Sequence, residues 1–498
     1  MPASTHPRPC TFAEFPDTQC VADDGSPEIA FTLVWADAAD ATMRIVATVI
    51  EFGQKLIGGI LSRVTDRTHQ SLVSRREFLR TSAAGATVAT AALSSLDALA
   101  AAEAQGGPQS AEEVAVIEPY WREVRQAFTL DPSLINLNNG NTPPSPQTVH
   151  EAFKRHLDDS NRLPMHYLTL QARVEEVRRE LATEFGCDPA ELALTRNATE
   201  SLHIAQLGLD LRPGDEVITT DQDYPRMLWL WDQRARREGI VIKRVQFPVP
   251  TTAADLLQRF ESAITPRTRV MHFCHITNTT GQLFPVRELS RLARARGIVS
   301  IVDGAQAVAH LPFQLRDLEC DLYGTSLHKW LMAPKGTGFL YVRRDMIERV
   351  WPLYAAPDSM RGDVRKFEEI GTHPTAARAA IAEALTFHRA VGGERKAARL
   401  RYLTMRWING LRSRPQVRIL SSLEPNETWG LASFAIQGVN AATVVPMLLE
   451  KHGIVVSAAV NQGLPGPVLD YSGVRVTPSI YTSIEEIDRF IAAVRTLL

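Results

Sequence analysis

From residue 192 onward the chain alternates short apolar runs with longer stretches that are apolar on one face only. The runs span 192–195, 216–220, 240–246, 270–276, 298–303, 322–326 and 338–342. Each is too short for an ordinary helix and is bounded by turn-forming residues, so each predicts a strand. Between them lie helical stretches such as 286–296, where Val286, Leu289, Leu292 and Ala293 recur at helical spacing. This alternation predicts an α/β fold with a mainly parallel seven-stranded sheet covered on both faces. Ligands of such sheets gather beyond the carboxyl ends of the strands.

The pattern differs at both ends. Residues 135–144, Ile-Asn-Leu-Asn-Asn-Gly-Asn-Thr-Pro-Pro, read as a short strand running into a turn. A long helical stretch over 379–411 leads to strand-like segments at 417–420, 431–437, 454–457 and 474–477, then to a helix over 484–498. The expected division is an N-terminal extension (1–104), a linker or arm (105–134), a large domain (135–375) and a smaller C-terminal α+β domain (376–498).

Within the extension, Ser74-Arg75-Arg76-Glu77-Phe78-Leu79-Arg80 precedes an alanine-rich apolar segment. Small-x-small patterns follow at Ala98-Leu99-Ala100 and Ala102-Glu103-Ala104. That order predicts a twin-arginine signal, export by that machinery and a periplasmic or exported mature protein. A signal normally begins a chain, so either Met43 is a candidate start or the targeting region is unusually long.

Apolar content of 45%, charged content of 22% and a formal charge of -2 describe an ordinary globular protein. They give no reason to expect nucleic acid or an anionic membrane as partner. No apolar run reaches the roughly 20 residues of a membrane span. The cysteines, Cys10, Cys20, Cys187, Cys274 and Cys320, fit no zinc or redox spacing, and no metal is expected.

The chemistry concentrates between Asp303 and Lys329. Asp303-Gly304-Ala305-Gln306 ends one predicted strand, and Thr325-Ser326-Leu327-His328-Lys329-Trp330 ends the next. A lysine amine that forms a Schiff base with an aldehyde, and an acid that keeps a pyridine nitrogen protonated, are what a pyridoxal 5′-phosphate enzyme needs. Lys329 and Asp303 are the catalytic candidates. Gln306 is placed to donate to the cofactor's phenolic oxygen. Thr199, in Thr195-Arg196-Asn197-Ala198-Thr199, opens a helix whose N-terminus suits a phosphate. Ser326 and His328 alternate along the strand end and can face the same phosphate. Tyr224 is the candidate ring-stacking aromatic, and Asn278 the candidate contact to the phenolic oxygen or substrate. Arg475, between apolar neighbours, suits an amino acid's α-carboxylate.

Taken together, these motifs resemble the class V aminotransferase family of fold-type I pyridoxal phosphate enzymes, over roughly residues 133–497. Ser326-Leu327-His328-Lys329-Trp330-Leu331 and the Asn138-Asn139-Gly140-Asn141-Thr142-Pro143-Pro144 opening resemble its isopenicillin N epimerase-like branch. The resemblance implies that Lys329 bonds the cofactor, Asp303 faces the pyridine nitrogen and Gln306 its phenolic oxygen. It implies phosphate contacts from Ala198, Thr199, Ser326 and His328, and substrate contacts from Arg475 and Asn139. It further implies that Gly371-Thr372 reaches the phosphate of a neighbouring subunit in a homodimer. Family members that make persulfide carry a cysteine on a loop before the carboxylate arginine. Here no cysteine follows Cys320, which argues against that route.

The expected activity is therefore proton transfer at Cα of an amino acid or amino-acid-derived amine, as an aminotransferase or an epimerase. A β-lyase is the alternative within the class, and a non-catalytic binding protein the alternative outside it. Epimerisation calls for a second base, for which Tyr224, His310 and His373 are candidates.

Overall fold

The computed structural model describes residues 109–498 apart from 164–165, 425–426 and 460–472, together with Ala102. The twin-arginine segment lies outside the described residues.

After a short strand β1 (Ile135–Asn136), seven strands build the main sheet: β2 (Leu192–Thr195), β3 (Glu216–Thr220), β4 (Val241–Val245), β5 (Thr268–Cys274), β6 (Val299–Asp303), β7 (Leu322–Ser326) and β8 (Gly338–Val342). Their order is β2-β8-β7-β6-β5-β3-β4. All are parallel except β8, which runs antiparallel to both its neighbours. Strands β2, β3, β6, β7 and β8 are buried at every position. Burial on both faces is why they read as continuous apolar runs rather than alternating ones.

Local chemistry starts and stops the helices. Asn197 caps the helix Ala198–Gly208 by accepting the Glu200 amide, and Arg196 pairs with Glu200 one turn on. Pro225 begins the helix Pro225–Glu238, and Gly239 ends it in the left-handed conformation. The long C-terminal helical stretch divides at Gly392 into Ile381–Val391 and Gly393–Leu411.

The smaller sheet has the order β12-β13-β10-β9, from β9 (Val417–Ile419), β10 (Ala432–Ile436), β12 (Ser457–Ala459) and β13 (Gly473–Val476), while β11 (Ile454–Val455) pairs with β1. Two segments cross the boundaries expected from sequence. β1 lies parallel to β11, and Asn138 bridges to Thr477, so residues 135–138 pair with strands of the C-terminal region. Conversely, the helices Thr375–Ala379 and Ile381–Val391 pack on Gln147–Arg162 and His166–Phe185 beside the large sheet. A boundary between packed units follows burial, and one-dimensional spacing does not reveal what a two-residue strand pairs with.

From residue 109 the N-terminal arm is structured. Arg125 makes a bidentate ion pair with Glu486, and buried Arg399 pairs with Glu118, which ties the arm to the C-terminal region. Among the described residues no helix is long and apolar enough to cross a membrane.

Candidate active site

A cavity of about 310 Å³ opens at the carboxyl ends of the central strands. Ala198 and Thr199 reach it after β2, Tyr224 after β3, Asn278 after β5, Asp303 and Gln306 at the end of β6, and Ser326, His328 and Lys329 at the end of β7. The small domain adds Arg475 from β13. The parallel topology puts these strand ends on one edge, as expected of a ligand crevice.

Asp303 closes a strand buried on both faces, and the turn after it is tight. A Cβ on Gly304 would sit 1.9 Å from the Tyr323 ring, so only glycine lets the chain turn there. The Asp303 carboxylate accepts the Ala305 amide at 2.9 Å. Burial raises its pKa to about 6, against the lowering effect of Lys329 and of that amide, with Asp223 adding to the rise. A cation bound against this carboxylate would restore its ionised form, which is what a protonated pyridine nitrogen provides.

Lys329 lies in a turn pinned by its own backbone: the Met332 amide donates to the Lys329 carbonyl at 3.1 Å and the Ala333 amide to Leu327 at 3.1 Å. Burial lowers the amine's pKa to about 8, opposed by Asp303 and assisted by Arg475. Deprotonation is what makes the amine a nucleophile. Capture of pyridoxal phosphate by apoprotein should therefore accelerate with rising pH around a midpoint near 8, not near the 10.5 of an ordinary lysine. Stopped-flow absorbance measures this, and a midpoint of about 10 or above would contradict the buried environment.

The candidate anion cradle is the helix N-terminus at Ala198. The Ala198 amide donates to the Ser326 hydroxyl at 2.9 Å, which joins the two cradle elements. The Thr199 hydroxyl makes no hydrogen bond among the described residues and Thr199 lines the cavity, while the amides on either side are engaged, Ala198 by Ser326 and Glu200 by the Asn197 side chain. His328 Nδ1 lies 3.3 Å from the Thr337 carbonyl. Burial first, then the neighbouring Lys329, lowers its pKa to about 4, so the ring is neutral at physiological pH.

Arg475 is held from two sides. Nη1 donates to the Asn278 carbonyl at 2.9 Å and Nη2 to Asn138 Oδ1 at 2.7 Å. Its Nε, and the Oδ1 of Asn278, are buried without a partner among the described residues. Burial lowers the guanidinium's pKa to about 10, so it remains cationic at neutral pH.

Several expectations change. Asn139 does not line the cavity. Its amide donates to the carbonyls of Asn136 (2.8 Å) and Thr477 (2.9 Å), and its oxygen accepts from Asn136 and the Tyr481 hydroxyl. With that amide committed, Asn138 takes the place facing Arg475: a one-residue shift puts alternate side chains on opposite sides. Thr372 is exposed and stands outside its own chain's cavity. His373 also lies outside. His310 is buried beneath the cavity, with both ring nitrogens engaged by Gln306 and Gly430. Gln306 reaches the cavity, but its Oε1 is taken by Trp330 and one Nε2 hydrogen by Gly140.

The cavity also holds two residues that no sequence motif marks. Cys274 is opposite Asp303 in the β5–β6 register and lines the floor, its thiol kept protonated by burial and by Asp223 and Asp303. Arg226 donates to the Tyr224 hydroxyl and lies 5.4 Å from that ring's centre. A cysteine inside an apolar run and an arginine early in a helix carry no local signal of a site.

These residues fit the expected cofactor. A carboxylate suits the pyridine nitrogen, a helix start with Ser326 and Thr199 suits the phosphate, and Asn278 Oδ1 and Arg475 Nε are buried polar atoms awaiting partners.

The sequence model of the family described as aminotransferase class-V matches residues 135–490. The chain is 33% identical over 400 residues to isopenicillin N epimerase of Streptomyces clavuligerus, covering 76% of this chain and 98% of that protein. It is 28% identical over 389 residues to a probable cysteine desulfurase of Synechocystis sp., covering 73% and 91%. A solved C-DES mutant with glycine covalently linked to its PLP cofactor superimposes with a TM-score of 0.64 at 25% identity, covering 73% and 98%. The fold is fold-type I, and the cofactor is pyridoxal phosphate. Motifs, cavity and relatives agree: the chain belongs to the class V aminotransferase family.

Proposed function

We propose that the protein moves the Cα proton of an amino acid or amino-acid-derived amine, with epimerisation at Cα as the leading outcome and transamination as the second. The observation that carries this reading is that the Lys329 amine, the Asp303 carboxylate and the Arg475 guanidinium open into one cavity. Arg475 would bind the substrate's carboxylate and so set its Cα near the Lys329 amine. When bound, pyridoxal phosphate supplies an electron sink for the pair left behind by the departing proton. Asp303 keeps the proton on the pyridine nitrogen. The Lys329 amine would take and return the Cα proton.

Inversion needs a proton donor on the other side. Tyr224 enters after β3 and Lys329 after β7, with β5 and β6 between them in the sheet. Of the second bases expected from sequence, Tyr224 alone lines the cavity, while His310 and His373 do not. Similarity to isopenicillin N epimerase favours this outcome. Similarity to probable cysteine desulfurases keeps sulfur elimination in view. Against a persulfide route stand the absence of any cysteine after Cys320 and the burial of the Cys274 thiol. In the same reading, exposed Thr372 serves the phosphate site of a second copy in a homodimer, and residues 74–104 direct twin-arginine export.

A panel of amino acids in deuterium oxide, read by mass and chiral analysis, tests the reading. Deuterium at Cα with the amine retained and the configuration inverted supports epimerisation. Loss of the amino group to the cofactor supports transamination. Pyruvate and ammonia released together with sulfide from cysteine, or with cysteine persulfide from cystine, would shift the assignment to a lyase. No exchange with any member would defeat Cα chemistry on amino acids.

A further inference from the structure

Beneath the cavity lies a cluster for which the chemistry above has no use. The His310 imidazole stacks on the Trp330 indole with ring centres 3.9 Å apart and planes 12° from parallel. Trp330 Nε1 donates to Gln306 Oε1 at 2.9 Å, and Gln306 Nε2 donates to the Gly140 carbonyl at 2.9 Å. His310 Nδ1 lies 2.6 Å from the Gln306 carbonyl, and the Gly430 amide donates to His310 Nε2 at 2.6 Å. Buried Lys396, on the helix Gly393–Leu411, donates to the Trp330 carbonyl.

Donor chemistry gives this chain of bonds one direction. An indole N–H only donates and a peptide carbonyl only accepts, so the Gln306 amide has one permitted orientation. One Nε2 hydrogen goes to Gly140, and the second remains for the cavity that Gln306 lines. The Gly430 amide likewise makes His310 Nε2 the acceptor, so Nδ1 carries the hydrogen and donates to Gln306. Packing alone would require none of these directions. Two neighbouring residues are held in the left-handed region although neither is glycine: Ala309 (φ 57) and Met332 (φ 60). The small domain closes the cluster tightly. A Cβ on Gly430 would meet His310 Nε2 at 2.8 Å and Trp330 at 3.3 Å.

We propose that Trp330, His310 and Lys396 are positioning residues: they lock Gln306 as a hydrogen-bond donor into the cavity and clamp the Lys329 turn against the small domain. This role needs the cofactor but no particular reaction at Cα, so its failure and the failure of the proposed activity are separable. A donor on the cofactor's ring oxygen favours the oxygen's ionised form. Losing it should raise the pH midpoint of the bound cofactor's visible absorbance.

Trp330→Phe keeps a ring on His310 and removes the N–H that holds Gln306. The holoenzyme's absorbance midpoint is expected to rise by about one pH unit, a tenfold change in proton affinity. Gln306→Leu should give the same rise, and the double variant no more than either single, because Trp330 acts through Gln306. Trp407→Phe, in the small-domain core, controls for destabilisation and should leave the midpoint in place. Lys396→Met, which spares both rings, should slow capture of pyridoxal phosphate by apoprotein about tenfold. An unmoved midpoint in Trp330→Phe, additive shifts in the double variant, or unchanged capture in Lys396→Met would overturn the assignment.

Discussion

Replacing Lys329 by alanine is expected to lower turnover at least about a thousandfold, because in the proposed function one amine serves both cofactor attachment and proton transfer. The visible absorbance of the lysine-bound cofactor should vanish. The fold should survive. Lys329 is an amine whose pKa burial has already lowered to about 8, so removing it relieves a desolvation cost. The apoprotein's melting temperature should stay level or rise. Added small primary amines should restore part of the turnover, since they replace the missing base in the space that the side chain leaves. An alanine variant with unchanged absorbance would show that another lysine holds the cofactor.

The second large effect is expected at Arg475. Changing it to lysine keeps the charge but loses the planar fork that matches a carboxylate. It also strands Asn138 Oδ1 and the Asn278 carbonyl, the two acceptors that now position the guanidinium. For an amino-acid substrate, kcat/KM should fall about a hundredfold, mostly through KM. The affinity for pyridoxal phosphate should change little. For an amine substrate without a carboxylate, the loss should be small. With its pKa near 10, the native guanidinium stays charged through neutral pH, so KM should not rise between pH 7 and about 9 on its account. Equal losses for carboxylated and uncarboxylated substrates would remove Arg475 from substrate recognition.

Both residues are legible in the amino-acid sequence, for the same reason. Lys329 and Arg475 each follow or interrupt an apolar run, where a charge is costly unless it serves chemistry. The strands of the main sheet are legible because burial on both faces leaves continuous apolar runs. The helix at Ala198 is legible because its cap is chosen within a few residues. Those signals are local, carried by spacing and turn chemistry over short windows.

What the sequence does not reveal is long-range. Nothing near Ile135 announces a partner more than three hundred residues away, yet it pairs with Ile454 in the C-terminal region. The same pairing sets which asparagine faces Arg475. Asn138 and Asn139 are indistinguishable in sequence, and the bridge to Thr477 decides that Asn138 reaches the guanidinium while Asn139 turns to Tyr481. His310 is an available base by residue type, but its two nitrogens are engaged by a carbonyl and an amide from distant parts of the chain. Sequence alone determined the class of fold and the cofactor, and it named candidate residues that the fold brings to one cavity, because hydrophobic period and turn preference act locally. Tertiary structure alone decided which face each side chain presents and which polar atoms are already spent, because those depend on pairing register and on contacts between segments far apart in the chain.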